Sequence, residues 1–331
     1  MANPVVAEIR RGSLVESRHR GSIAVVDADG SIVLALGDID TLVYPRSAVK
    51  AMQALVLMEA GAAERFNLSE EALALACASH GGEPGHVAVV ERMLAAAGLD
   101  ATALGCGVHW PSHAASAQAL ARSGRSANAL HNNCSGKHAG FICAAGALGV
   151  DHRGYTDPAH PVQRAVKAVL QDLTGVAVPD EHRAVDGCSV PTWAIPLKAL
   201  ARGFARFGSG SGMTPGRAKA AQRLRAACAA HPWHVAGTGR FCTAVMEHFG
   251  ARVFVKTGAE GVFCGAIPQS GLGVAIKCDD GAARASEVAM AGMIERFVPL
   301  DDADRAALAR LLHPTLRNWN GIEVGAIAPA R

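Results

Sequence analysis

"ARVFVKTGAEGVFCGAIPQSGLGVAIKC", Ala251 to Cys278, holds three β-branched and aromatic runs separated by short Ala-Glu and Gln-Ser turns. Runs of that length between turn residues predict consecutive antiparallel strands. A matching signal stands at the other end of the chain. Residues 5–36 alternate apolar and polar, and in "VVDADGSIVLALG", Val25 to Gly37, the Asp29-Gly30 pair marks a tight hairpin. After Pro45 the period becomes helical. Ala-rich helices are predicted over 47–61, 69–78, 85–97, 135–148, 161–173, 195–207 and 215–230, and a last pair over 284–297 and 302–312. Strands at both ends with helices between them predict an α+β fold, one antiparallel sheet built from the two chain ends with a helical region inserted. Residues 1–331 are read as a single structural unit, with 1–45 and 250–331 mainly sheet-forming and 46–249 mainly helical. An active-site cleft is expected at their junction.

Composition narrows the function. Half of the 331 residues are hydrophobic, enough for a large core. A net charge of +3 and 5% aromatic residues argue against a nucleic-acid partner and for a small ligand. No apolar run reaches the roughly 18 to 20 residues of a membrane span, and Met1 to Pro4 lead into a strand pattern rather than a signal peptide, so a cytoplasmic protein without a membrane partner is expected. Nine cysteines, an odd count in apolar contexts such as Cys77, Cys143 and Cys264, fit reduced, packed thiols. "FGSGSGMTPG", Phe207 to Gly216, is read as a flexible loop, and no internal repeat is found.

In "YPRSAVKAMQALVLMEAG", Tyr44 to Gly61, Ser47 and Lys50 stand three apart at the head of a strongly apolar helical pattern. On one helix face they would meet. Burial and the positive helix end both disfavour an ammonium there, the condition a general base for serine requires. The plain alternative is a capping serine with a snorkelling lysine. Two further motifs weigh against it: "ASHGG", Ala78 to Gly82, and the Lys256-Thr257-Gly258 strand end. Together they follow the order of the S-x-x-K, S-D-N and K-T-G set of serine β-lactamases and penicillin-binding proteins. Ser79-His80-Gly81 lacks the asparagine of the middle motif, which weakens the case for penicillin chemistry and keeps a second serine.

"HNNCSGKHAGF", His131 to Phe141, and "VDGCSVPTWAIP", Val185 to Pro196, each place a cysteine in a turn-rich loop. Cys134, Lys137, His138, Cys188 and Asp186 offer donors suited to zinc, but the spacing is that of no standard finger, and by spacing alone buried structural thiols are favoured.

These motifs, with "ASHGGEPGHV" and "KTGAEGVFCGAIP", resemble the Rhizobium etli-type (class 3) L-asparaginases of the asparaginase II family nearly end to end, and "NNCSGKHAG" followed by "DGCSVP" is their most specific part. The resemblance implies a fold like serine β-lactamases and glutaminases, hydrolysis of L-asparagine, a homodimer, two Ser-Lys pairs and a nearby zinc ion bound by two cysteines, a lysine and water. Carried over, the pairs are Ser47 with Lys50 and Ser79 with Lys256, and the zinc ligands are Cys134, Lys137 and Cys188. His138 then becomes a neighbour of the metal.

For a free amino acid, Arg46 is read either as forking onto the α-carboxylate or as a surface arginine, Asp186 either as taking the α-ammonium or as capping its loop, and His80 either as contacting substrate or as capping its helix, with Thr257 and Gly258 also placed at the substrate. Ser47 is preferred as nucleophile. The rivals are a β-lactamase-like or esterase-like serine hydrolase, a non-catalytic amino-acid or zinc sensor, and a hydrolase using Cys134 or Cys188.

Overall fold

The computed structural model describes residues 2–330, and within them the chain divides into two compact units. The first contains the residues up to Ala48, Ala194–Gly212 and the residues from His248 onward; the second contains Val49–Trp193 and Met213–Glu247.

An eight-stranded antiparallel sheet dominates the first unit. Leu14–Asp27 lies at its centre because it is long enough to change partners along its length. Its first half pairs with Val5–Arg11, placing Arg18 opposite Glu8. Its second half pairs with Leu272–Cys278 and with Ile32–Leu36, so that Ala24 faces both Ala275 and Ala35. The sheet continues through Val262–Ile267 to Phe254–Thr257 on one side, and from Val5–Arg11 through Glu323–Pro329 to Thr315–Arg317 on the other. The three strands read in Ala251–Cys278 are therefore sequential neighbours, and the α+β expectation holds.

Two helices, Leu197–Ser209 and Ala283–Phe297, pack on this sheet. The first approaches so closely that a methyl on Gly273 would lie 1.9 Å from the Ala201 carbonyl oxygen, so only glycine fits. Phe254 completes the contact by meeting Phe207 edge-on at 5.4 Å. The last two strands had no strong sequence signal. "EVGAIAP", Glu323 to Pro329, is poor in β-formers, and its Gly325 is required because the Arg10 carbonyl lies 2.0 Å from where its Cβ would be.

The second unit is helical. Glu70–Ala76, Pro84–Ala96, Ser135–Ala147, Pro161–Thr174 and Pro215–Ala230 fall within a few residues of the predicted helices. Ser69 caps the first of these by accepting the Ala72 amide at 3.3 Å. Ser135–Ala147 is the central helix, buried from Ser135 to Ala145. A methyl on Gly136 would come within 2.4 Å of the Leu75 carbonyl oxygen, so the two helices approach backbone to backbone there. Ala114–Arg122 and Phe241–Phe249 are helices without a sequence prediction.

The expected continuous helix over 47–61 does not form. Arg46–Val49 is a 3-10 turn, Lys50–Gln53 and Leu55–Glu59 are short α-helical pieces, and Gly61, with φ +70°, ends the run. The reason is local. Ala48 N–H bonds the Pro45 carbonyl and Leu57 N–H the Ala54 carbonyl, both at the tighter i to i+3 spacing. The helix-dipole argument for Lys50 accordingly falls, because no long helix starts at Ser47. Lys50 itself is buried, at 0% exposure.

Candidate active site

In the second unit the Lys50 side chain ends in a cage of oxygens. Its Nζ donates to the Ala78 carbonyl at 2.6 Å, to Ser79 Oγ at 2.9 Å and to the Asn133 carbonyl at 3.5 Å. Lys50 thus meets the second serine, a pairing the sequence did not suggest. A lysine can be buried in this way because charge-assisted hydrogen bonds replace the water it loses.

Ser79 is held from both sides. Its amide donates to the Val235 carbonyl at 2.9 Å, and the next amide, His80 N–H, donates to the Asn133 carbonyl at 3.2 Å. The His80 ring is fully buried. Its Nδ1 accepts the Gly82 amide at 3.1 Å, and its Nε2 lies 2.9 Å from Ser135 Oγ, which itself donates to the Leu130 carbonyl. Because Nδ1 is an acceptor and the hydroxyl hydrogen is used elsewhere, Nε2 must carry the proton and donate to Ser135. Burial, reinforced by His86 and Lys50, holds the ring far below the ordinary histidine range, so it stays neutral. Both nitrogens are spent inside the protein. His80 therefore ties the Ser79 loop to Ser135, at the start of the central helix.

Cys134, Lys137 and Cys188 also converge. Cys134 precedes the central helix, Lys137 lies in its first turn, and Cys188 sits in the hairpin loop between Arg183–Val185 and Pro191–Trp193. That loop is closed by Asp186 N–H to the Val190 carbonyl, with Ser189 in the left-handed region at φ +75°. Lys137 Nζ lies 3.0 Å from Cys188 Sγ, and all three side chains are buried. A hydrogen bond from Cys188 holds the Cys134 thiol well below its usual range against the effect of burial, with Lys50 and Lys137 adding positive charge nearby. The same hydrogen bond, together with burial, raises Cys188. Burial works against the Lys137 ammonium, but the charges of Cys188 and Cys134 outweigh it and raise the group; Asp186 adds to that field.

His138 lies behind this cluster. Tyr155 Oη accepts the Gly105 amide at 2.7 Å and lies 2.6 Å from His138 Nδ1. His138 Nε2 is buried and has no hydrogen-bond partner among the described residues.

In the first unit Arg46 and Ser47 occupy the turn that follows Pro45. Arg46 has φ +51°, a strained conformation for a side chain of its size, and Ser47 is half-buried beside it. The Lys256-Thr257-Gly258 strand end adjoins this turn: a methyl on Gly258 would lie 2.9 Å from the Pro45 carbonyl oxygen. Lys256 is buried and donates to the Thr257 carbonyl at 2.9 Å.

The four serines and lysines thus fall into two local groups, Ser47 near the Lys-Thr-Gly strand and Lys50 on Ser79, linked by the three-residue step from Ser47 to Lys50. Sequence reasoning missed the carbonyls of Ala78 and Asn133 and the hydroxyls of Ser135 and Tyr155. A carbonyl belongs to every residue and leaves no mark of residue type; Asn133 and Ser135 at least lie within the distinctive "NNCSGKHAG" run.

A family model described as L-asparaginase II matches residues 7–329. No curated protein matches the chain. Among solved structures, a β-lactamase from Mycobacterium bovis is 14% identical with a TM-score of 0.41, over 84% of this chain and 95% of that one. Mglu in its native form is 16% identical with a TM-score of 0.41; the match spans 86% of this chain but 62% of Mglu, less than two thirds of its length. Among the described residues no helix is long and apolar enough to cross a membrane. With the family match running over nearly the whole chain, and with buried serine and lysine side chains in contact within it, the protein belongs to the L-asparaginase II family of amidohydrolases.

Proposed function

We propose that the protein hydrolyses the side-chain amide of L-asparagine to L-aspartate and ammonia through an ester on Ser47. The observation that carries this reading, within the family assignment, is the 2.9 Å contact between buried Lys50 Nζ and Ser79 Oγ. In the reacting enzyme Lys50 is the neutral amine, having given up one of its three donated bonds, and its lone pair takes the Ser47 proton as the oxygen attacks the carboxamide carbon. The proton passes to Ser79 and from it to the departing nitrogen, so that the C–N bond breaks with release of ammonia rather than an amide anion. Water then attacks the ester, gives a proton back along the same route to Ser47, and frees aspartate. Lys256 serves as the second lysine, beside the Thr257 and Gly258 backbone that receives the substrate. Arg46 binds the α-carboxylate and Asp186 the α-ammonium. A homodimer and a cytoplasmic location complete the proposal.

The residues present fit a zinc ion: two thiols and an amine converge in a buried pocket where the Cys134 thiol is held below its usual range. Among the described residues no group of three or more His, Cys, Asp or Glu side chains forms a metal cluster, so the third protein donor would be Lys137. Binding must then displace the Lys137 proton. Cys134, Lys137 and Cys188 would hold the ion, which when bound supplies positive charge and ties the two loops together.

Ammonia release from L-asparagine and L-glutamine, measured side by side for wild type and Ser47→Ala, tests the function. Release from asparagine that is lost in Ser47→Ala supports both the reaction and the nucleophile. Release from neither substrate overturns the reading, and activity that survives Ser47→Ala but is lost to thiol alkylation transfers the nucleophile to a cysteine.

A further inference from the structure

A cavity of about 380 Å³ opens within the second unit between the Pro84–Ala96 and Ala114–Arg122 helices. Val87, Ala88 and Glu91 face it from the first helix, one turn apart, and Ala119 and Leu120 from the second. Residues of both helices line the space between them. Ala114–Arg122 has no buried residue of its own, so the space is not filled from that side. A volume at the lower end of those that take small molecules suits a ligand of amino-acid size.

The charges at the cavity select the kind of ligand. Glu91 and Arg125 both line it, both are exposed, and among the described residues neither is held in an ion pair. Both fields reach the buried His131 ring in the wall: beyond its burial, Arg125 disfavours and Glu91 favours its protonation. An apolar wall with one carboxylate and one guanidinium complements a molecule that carries an ammonium, a carboxylate and a short apolar chain. A simple anion or cation would satisfy one group and meet repulsion from the other.

We propose that this cavity is a second ligand site, specific for a free zwitterionic amino acid with an aliphatic side chain. Glu91 takes the ammonium, Arg125 the carboxylate, and Val87, Ala88 and Leu120 the side chain. The wall is shared with the Ser79 loop. A methyl on Gly82 would lie 2.7 Å from the His131 carbonyl oxygen, and Gly82 N–H is the donor that fixes His80. An occupant therefore bears on the segments that carry Ser79 and Asn133. The site is independent of the reaction proposed above, since an aliphatic amino acid has no side-chain amide to hydrolyse.

The test is equilibrium dialysis of radiolabelled L-leucine against the full chain, wild type and three variants, with thermal melts as a control for folding. Saturable binding of one leucine per chain is expected, weakened at least tenfold by Leu120→Trp, which fills the space, and by Arg125→Gln, and unchanged by Lys50→Met. Isoamylamine, which lacks the carboxylate, should fail to compete. If Leu120→Trp does not fold, Arg125→Gln, on an exposed side chain, decides the matter. Absence of saturable binding to the wild type overturns the proposal. So does binding that withstands Arg125→Gln and disappears with Lys50→Met, which would place the leucine among the catalytic residues.

Discussion

Replacing Lys50 by methionine separates a catalytic role from a structural one. Methionine keeps the length of the stem and removes Nζ, so the Ala78 carbonyl, Ser79 Oγ and the Asn133 carbonyl lose a donor now at 2.6, 2.9 and 3.5 Å. A buried acceptor left unsatisfied costs about 1–3 kcal/mol. Against this, an amine at 0% exposure no longer has to be kept out of water, a gain of several kcal/mol. The two effects oppose each other at similar size, and the net change in stability should stay within about 2 kcal/mol. Nothing offsets the loss in the reaction. A positioned general base is worth about 10²–10⁴-fold, or about 3–5 kcal/mol of barrier. The assay is steady-state ammonia release from L-asparagine, with a urea unfolding curve on the same preparations. We expect kcat to fall at least 100-fold while the urea midpoint moves little. A kcat within threefold of wild type, on a folded variant, would refute the reasoning and leave Lys50 as a peg that only supports the Ser79 loop.

Gly136→Ala should destabilise the second unit by about 1–3 kcal/mol, because its methyl meets the Leu75 carbonyl oxygen at 2.4 Å in a packed core; an unchanged melting temperature would show that the helices can separate. Gly82→Ala forces a side chain into φ +70° as well as against the His131 carbonyl, and should cost about 1–2 kcal/mol for the backbone alone, read from urea midpoints. Burial pushes His86 down to about 4, against the pull of its bond to the Trp233 carbonyl and of Glu83. The unfolded chain takes up this proton near pH ~6.5, so the stability tied to the neutral ring is whole above that value and falls by about 1.4 kcal/mol per unit as pH drops toward 4. His80, displaced in the same direction, steepens the fall, and His86→Gln should flatten it in urea midpoints taken between pH 7.5 and 5. Protein purified with zinc present should carry about one zinc per chain by elemental analysis, lost in Cys188→Ala; equal metal content in both would remove Cys188 from the ligand set.

Much of the architecture was legible along the chain. The Ala251–Cys278 strands and the Asp29-Gly30 hairpin were readable because a strand shows its period of two and its turns in consecutive residues. The helix over Pro215–Ala230 was readable for the same reason, with a proline at its start. Glu323–Pro329 was not, since its place in the sheet depends on pairing with Val5–Arg11 rather than on its own composition. The broken run after Ser47 was hidden as well: its apolar pattern fits a helix, and the positive φ of Arg46 and the 3-10 turn are properties of the backbone.

The sequence by itself determined which side chains are available for chemistry: Ser47, Lys50, Ser79 and Lys256, and the Cys134, Lys137 and Cys188 set, all within motifs whose residue types already limit the reaction. Only the tertiary structure decided which of them touch. Lys50 reaches Ser79 across 29 residues, and Lys137 reaches Cys188 across 51. Such contacts are set by how helices and loops pack, a matter of the burial of the whole core, and by backbone carbonyls that every residue carries alike. The neutral state of His80 has the same origin, because it follows from where the ring is buried and what its two nitrogens meet.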